Sequence, residues 1–354
     1  MSTRVSTNRA WVVVDLANLL ANARAVQAAA RGAALLPVVK ADAYGLGAVR
    51  VAQALESLDP WGFAVATLPE GVELREAGIT RPILVFTPAI ADQLADYEGH
   101  DLRAVLDDPS VAAVWPRPFH VEIDSGMGRC GVRWDAVEAL RRFDSATLEG
   151  AFTHFYAADE GEDSVRMQWE RFNHAVDSLP RRPTLIHAPN SAGAWRLSER
   201  VDLVRPGIFL YGGEHAPDLP PPKPVATVRA PVVSLRRLPA GATVSYGGVW
   251  AAPKETTVAT LGIGYADGIA RLVAGRAHVL LHGRRRPVVG RVTMDFIMVD
   301  VGDDTVGVGD IATVVGRDGD DEITIDQLAE WSETIAYEPL TRFATRMTRE
   351  YVNG

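Results

Sequence analysis

The chain has one cysteine, Cys130, among 354 residues. A single thiol excludes an intrachain disulfide framework and any zinc or iron–sulfur site built from several cysteines. No uninterrupted apolar run approaches the ~20 residues that a membrane span requires. The stretch from Met1 to Ala10 is polar and Asp15 interrupts the first apolar run, so a secretory leader is not expected. Excess positive charge is missing too: 36 Lys+Arg stand against 45 Asp+Glu, a net charge of −9. That balance excludes the basic footprint with which nucleic-acid binders neutralise phosphates, while leaving room for a local anion site. What remains is the mix of a globular enzyme, 47% hydrophobic and 23% charged. At roughly 150 residues per domain, the length predicts about two domains. A cytoplasmic enzyme without metal is the first expectation.

Through about residue 210, short β-rich runs alternate with longer amphipathic stretches. The runs at 35–40, 62–66, 82–86, 103–106, 120–124, 150–154, 185–188 and 208–211 predict strands. Stretches 16–30, 48–58 and 70–77 space their apolar residues by three and four, and Gly78 closes the last as a helix C-terminal glycine does. Strands that are apolar almost throughout and alternate with helices describe a parallel sheet covered by helices. A closed (β/α)8 TIM-type barrel fits the count; an open doubly wound sheet would give a similar pattern.

The pattern changes after Tyr211. Pro217 to Pro224, PDLPPPKP, cannot hold a helix and predicts a semi-rigid linker. Beyond it, β-branched runs at 230–235, 257–263, 278–282, 287–292, 297–301 and 311–315 are separated by turns, and 325–334 reads as a helix. The expected organisation is a barrel over residues 1–224 and a mostly β domain over 225–354. Arg284-Arg285-Arg286, between Gly283 and Pro287, predicts a solvated turn. Asp318 to Glu322 predicts an acidic turn that lacks the further ligands a metal needs.

Lys40 ends the apolar run LLPVV. Such a lysine must snorkel to water or be put to use, and barrel active sites lie at the C-terminal ends of strands. A lysine with a lowered pKa can form a Schiff base with a carbonyl. The segment Val39-Lys40-Ala41-Asp42-Ala43-Tyr44-Gly45-Leu46-Gly47 sets a tyrosine and two glycines beside it. This stretch, VVKADAYGLG with Val38, resembles the cofactor-lysine motif of the alanine racemase family, fold type III enzymes that use pyridoxal 5'-phosphate. Leu46 departs from that motif, where the family commonly has histidine.

The likeness covers nearly the whole chain. Ile123-Asp124-Ser125-Gly126-Met127-Gly128-Arg129 is similar to the family's DTGMGR loop. That likeness implies that Arg129 touches the cofactor's phenolic oxygen and the substrate carboxylate, and a planar guanidinium suits paired oxygens. Cys130, directly after it, reads as a small buried hydrophobe. Thr153-His154-Phe155 matches the histidine that supports the cofactor region. His187-Ala188-Pro189-Asn190-Ser191-Ala192 resembles H-x-x-N-S-A, implying that Ser191 binds phosphate. Val204-Arg205-Pro206-Gly207-Ile208 resembles VRPGI, implying Arg205 at the pyridine nitrogen and the Gly207 and Ile208 amides on phosphate. Ile335-Ala336-Tyr337-Glu338 is similar to an INYE-like segment whose tyrosine reaches the phosphate, and Tyr44 joins this cofactor set. A guanidinium has no proton-accepting atom and leaves the ring nitrogen unprotonated. The ring is then a weaker electron sink, which favours racemisation over transamination or decarboxylation.

Val244-Ser245-Tyr246-Gly247-Gly248 matches the family's catalytic tyrosine, although by propensity it is a strand-end tyrosine beside a turn. Racemisation at Cα needs acid/base groups on both faces of a planar carbanion; the resemblance implies that Lys40 supplies one and Tyr246 the other. A free phenol titrates near pH 10, so it needs cationic neighbours, for which Arg129 and Arg205 are candidates. Gly264-Tyr265-Ala266-Asp267-Gly268 resembles GYADG, with Tyr265 at the substrate entryway. Gly290-Arg291-Val292-Thr293-Met294-Asp295 resembles GR-x-x-MD, with the Met294 amide on the substrate carboxylate. Asp159, Arg271, Arg291 and Ile335 fall where the family has outer entryway residues, and Arg129, Arg205 and Arg291 are expected around one cleft. The resemblance also implies a homodimer in which Tyr246 enters the partner's barrel. It implies a role in converting L-alanine to D-alanine for peptidoglycan.

Glu122 stands where many members carry a carbamylated lysine. It keeps a negative charge near Arg129 on a shorter side chain, which a water or altered packing would have to bridge, and predicts activity insensitive to bicarbonate. Three rivals remain. A fold type III decarboxylase would place an acidic group, not Arg205, at the ring nitrogen. A non-catalytic cofactor-binding protein would have the barrel alone. A broad-specificity or serine racemase would need a roomier pocket around Tyr337 and Met294.

Overall fold

The computed structural model describes residues 9–214, 216–343 and 346–354. Most of the polar segment Met1 to Ala10, read above as lacking a leader, lies outside the described residues. Parallel strands Phe63–Val65, Ile83–Pro88, Arg103–Val105, Phe119–Asp124, Leu148–Phe152 and Leu185–His187 pair in chain order, and Leu203–Val204 pairs with Ala34–Leu35. Two joints close the ring. Val38 bridges Ala64 on one side; on the other, the Asp202 amide donates to the Ile186 carbonyl at 2.8 Å and the Arg205 amide to that of Pro189 at 2.9 Å. The parallel sheet is therefore a closed barrel, and an open sheet is excluded. Phe63, Ala64 and Val65 are wholly buried, as strands between a barrel interior and a layer of helices must be.

The closing strand lies earlier than the sequence pattern predicts. Residues 208–211 form a 3-10 turn, Ile208–Tyr211, and the strand is Leu203–Val204. All residues of that turn are buried, and a short apolar run buried all round has no period to separate strand from helix. Pro206 accepts from Val38 N–H at 2.9 Å but, without an N–H, returns no bond to that ladder. Pro37 has the same effect at the first strand, so Lys40 opens a turn instead of ending a strand.

The second sheet curls on itself. Its order is Asp321–Ile323, Ile311–Asp318, His278–Leu281, Arg284–Val289, Ile297–Gly302, Thr256–Leu261, Ala226–Leu238, Trp11–Asp15 and Thr348–Val352. Ile311–Asp318 also pairs with Ala226–Leu238, bending the sheet back. Trp11–Asp15 belongs here although it falls in the part of the chain expected to form the barrel: it runs antiparallel to Ala226–Leu238 and parallel to Thr348–Val352. The proline-rich passage is pinned to helix Leu16–Ala29, because Asn22 exchanges two hydrogen bonds with the Lys223 backbone, at 2.8 and 2.9 Å.

The basic run is not a turn. Residues 284–286 begin the strand Arg284–Val289, after a tight turn at His282-Gly283 in which both residues have positive φ. Carboxylates neutralise it: Arg284 and Arg286 meet Asp304, and Arg285 meets Asp321 at 2.8 Å.

Candidate active site

A cavity of about 1530 Å³ opens at the C-terminal end of the barrel. It brings together Lys40, Tyr44, Glu122, Arg129, His154, Asp159, Ser191, Arg205, Gly207, Ile208, Ile335 and Tyr337. Cys130 also faces it and is half-buried instead of buried. Five expected site residues lie elsewhere on the β domain. Tyr246 is 69% exposed and Met294 53% exposed, and Tyr265 and Arg271 line a separate shallow groove. Arg291 is also outside the cavity; its guanidinium lies against Gly247, beside Tyr246. Of the arginines expected in one cleft, Arg129 and Arg205 converge and Arg291 does not.

Lys40 begins an unusual piece of backbone. Ala41, Asp42, Ala43 and Tyr44 have φ between 51° and 55°, a left-handed turn of L-residues. Each such residue costs roughly 1–2 kcal/mol, so the turn must be held from outside. Glu70 does part of this. The segment Thr67-x-x-Glu70 is a capping box for helix Leu68–Glu76; Glu70 Oε2 accepts from the Ala66 and Thr67 amides, while Oε1 accepts from Ala41 N–H at 2.7 Å. The last strand does the rest. Arg349 pairs with Asp42 at 3.0 Å and donates to the Gly45 carbonyl, and Tyr351 Oη donates to that of Leu46. Burial lowers the Lys40 pKa, Arg129 lowers it further, and Glu70 opposes both.

Arg205 is 3% exposed. Its Nη1 donates to His187 Nδ1 and the His187 carbonyl, and its Nη2 to the carbonyls of Thr153 and Ala188, at 2.7 to 3.0 Å. All these bonds use the terminal nitrogens, so Nε–H has no protein partner among the described residues. Burial brings its pKa down to about 10, against the pull of Glu122, which still leaves it cationic at neutral pH. Burial also brings His154 down to about 3, with Arg205, Arg129 and Lys40 adding to the effect, so that imidazole is neutral.

Arg129 is placed by its loop. Asp124 Oδ1 accepts from the Gly126 and Gly128 amides at 2.9 and 3.0 Å, folding the chain over towards the cavity. Glu122 Oε1 comes within 3.8 Å of Arg129 Nη2, an ion pair just beyond hydrogen-bond range. Burial raises the Glu122 pKa, and the charges of Arg129 and Arg205 hold it back. Across the cavity, Ser191 Oγ accepts from Gly207 N–H at 3.0 Å. Gly207 has no room for a side chain, since a Cβ there would fall 2.5 Å from Tyr44 Oη. Tyr44 stacks on Tyr211 at 4.6 Å and meets Tyr337 at 5.9 Å. Burial pushes Tyr337 up to about 12, so it is a neutral hydroxyl donor.

The positioning residues Glu70, Arg349 and Tyr351 were not singled out from sequence. Glu70 could have been, from its capping-box spacing; the other two carry no motif and reach the site only through sheet pairing.

Residues 14–215 match the family model described as alanine racemase, N-terminal domain, and residues 225–351 that described as alanine racemase, C-terminal domain. The alanine racemase of Carboxydothermus hydrogenoformans is 38% identical over 97% of this chain and 99% of its own length. That of Deinococcus deserti is 39% identical over 97% and 98%. The structure of the Bacillus anthracis alanine racemase with bound L-Ala-P matches with a TM-score of 0.91 at 32% identity, covering 98% of this chain and 95% of that one. The Bartonella henselae alanine racemase with covalently bound pyridoxal phosphate matches at 0.89 and 27%, covering 97% and 99%. With both domain families matched in order along one barrel and one β domain, the chain belongs to the alanine racemase family of pyridoxal-phosphate-dependent isomerases.

Proposed function

We propose that this chain interconverts L- and D-alanine with Lys40 and Tyr246 as its two acid/base groups. The observation that carries this reading is the meeting of Lys40, Arg129 and Arg205 in one cavity. The cavity suits pyridoxal phosphate by the chemistry of its donors. Lys40 offers an amine held towards its neutral form, Arg205 offers the spare Nε–H to the ring nitrogen, and Ser191, Tyr44 and Tyr337 offer hydroxyls to the phosphate. Gly207 and Ile208 bring backbone close to the same place. When bound, the cofactor supplies an electron sink for the pair left as the Cα–H bond breaks.

The chain's own residues do the rest. Arg129 pairs with the substrate carboxylate, and His154, neutral, packs at the cofactor. Lys40 holds or takes the proton on one face of Cα. The phenol of Tyr246 serves the opposite face, with Arg291 as its cationic neighbour and the Met294 amide on the substrate carboxylate. Tyr265, Asp159, Arg271, Arg291 and Ile335 form the entryway.

Tyr246 does not line its own chain's cavity, so the reading requires a homodimer in which the partner subunit's Tyr246 enters. Two features support that arrangement. The cavity exceeds the roughly 300–1,000 Å³ of ordinary small-molecule pockets, and Tyr246, Val249, Met294 and Phe296 are all exposed on the β domain. The division into a barrel domain over 1–224 and a β domain over 225–354, with Trp11–Asp15 of the first lending a strand to the sheet of the second, belongs to the same proposal, as does a cytoplasmic role in supplying D-alanine for peptidoglycan. No helix among the described residues is long and apolar enough to cross a membrane.

Incubation with single L-amino acids in deuterium oxide tests the reading. Cα exchange and D-product with alanine alone are expected. A decarboxylated product would overturn it, and equal exchange on serine would move it to a broader racemase.

A further inference from the structure

Two histidines inside the barrel, His120 and His187, are fully buried and have no part in the reaction proposed above. They stand end to end. Arg205 Nη1 is 2.9 Å from His187 Nδ1, His187 Nε2 is 2.8 Å from His120 Nδ1, and His120 Nε2 is 3.3 Å from Glu149 Oε2. Arg103 Nε, 3.2 Å from the same Glu149 oxygen, ends the line. Arg205 follows the C-terminal end of Leu203–Val204, whereas Glu149 and Arg103 sit at the N-terminal starts of Leu148–Phe152 and Arg103–Val105. The line thus crosses the barrel from the cavity to its opposite mouth.

The end groups leave one arrangement of protons. A guanidinium only donates and a carboxylate only accepts. Arg205 needs a bare Nδ1 on His187, which puts that ring's proton on Nε2. His187 Nε2–H then needs a bare Nδ1 on His120, whose own Nε2–H donates to Glu149. A second proton on either ring would set two N–H groups face to face. Burial lowers the pKa of both imidazoles, and Arg205 lowers that of His187 further, while Glu149 pulls His120 the other way. The fold makes space for this line. A Cβ at Gly150 would fall 2.5 Å from His120 Nδ1, so that strand position has to be glycine. His187 stacks on Phe152 at 4.8 Å, and Arg205 lies over the same ring.

We propose that Glu149, at the barrel mouth remote from the cavity, is a positioning residue for Arg205. By accepting from His120 it selects, through His187, the one tautomer that lets Arg205 be anchored by its terminal nitrogens with Nε left for the cavity. Without that acceptor His120 can carry its proton on Nδ1. His187 would then have to carry its own on Nδ1, against the donors of Arg205. The inference rests on the reading that Arg205 serves the pyridine ring.

The test uses holoenzyme with 15N-labelled histidine, its ring nitrogens observed by NMR at pH 7.5 and assigned through His120→Asn and His187→Asn. In the wild type both rings are expected neutral with the proton on Nε2. Glu149→Met is expected to mix the His187 tautomers and weaken pyridoxal phosphate binding about tenfold, the loss of one bond to a charged group. Glu149→Gln, whose carboxamide oxygen still accepts, is expected to restore both. A wild-type His187 or His120 that is cationic, or protonated on Nδ1, overturns the proposal whether or not the variants fold. So does Glu149→Met with unchanged tautomers or unchanged cofactor affinity. Arg205→Met separates the two readings: if cofactor affinity ignores it, the role of Arg205 falls. If affinity drops there but not in Glu149→Met, only the line through the barrel falls.

Discussion

The guanidinium of Arg349, on the last strand, sits 3.0 Å from the carboxylate of Asp42, two residues after Lys40. The pair ties the β domain's sheet to the left-handed turn that begins at Lys40. Arg349 Nε also donates to the Gly45 carbonyl at 2.9 Å, so one side chain grips the turn at two points. Arg349→Met should release it. The expected result is faster hydrogen exchange at residues 41–46, a stability loss of about 1–2 kcal/mol, and a lower kcat with KM nearly unchanged. Arg349→Lys, which keeps the charge beside Asp42 but not the second bond, should fall between. Exchange at 41–46 that matches the wild type would show that the strap does not hold the turn.

Glu122 and Arg129 lead to a second prediction. The carboxylate is buried, and burial raises its pKa above the ordinary value of 4.5. It therefore takes up a proton earlier than other carboxylates as pH falls, and Arg129 then loses its negative neighbour. KM for alanine should rise on the acid side in the wild type, whereas Glu122→Gln should have a raised KM, about three- to tenfold, that is flat over the same range. Bicarbonate should change neither enzyme, because neither a carboxylate nor a carboxamide at position 122 has an amine to carbamylate. Strong stimulation of decarbonated wild type by bicarbonate would count against this account.

The barrel was legible in the sequence because its strands are short apolar runs between helical stretches such as 16–30 and 48–58. Its weak points are local. Residues 208–211 and 35–40 were misread where Pro206 and Pro37 cut the ladder and buried runs lost their period. The site was legible wherever a motif is contiguous, as at Lys40, Arg129, Ser191 and Arg205. It was not legible where partners are joined by topology alone. Arg349 meets Asp42, and Glu149 meets His120, across 307 and 29 residues of chain. Trp11–Asp15 joins the second sheet for the same reason, since no property of five alternating residues names the strand they will pair with.

The exposure of Tyr246 makes the shared site testable. Lys40→Ala and Tyr246→Phe should each inactivate the proposed homodimer. Co-expressed with different tags and purified as the mixed dimer, they should regain about half of the wild-type rate, because twofold symmetry puts both lesions in one site and neither in the other. A mixed dimer as inactive as its parents would place both residues in the site of a single chain.

The half-buried histidine His154, on the cavity wall, sets a pH dependence of stability whose sign can be worked out. Its folded pKa is about 3, against an ordinary 6.5, chiefly because burial disfavours the charged ring. Below pH 6.5 the unfolded chain binds a proton that the folded chain refuses, so stability is full above that value and falls as pH drops towards 3. The slope from one such group is at most ~1.4 kcal/mol per pH unit. His120 and His187, also lowered by burial, act in the same direction. The urea midpoint of the holoenzyme should therefore be lower at pH 5.5 than at 7.5, and His154→Gln should shrink that difference. An equal drop in the variant would mean that His154 titrates alike in both states, and its assignment as a neutral imidazole on the cavity wall would fail.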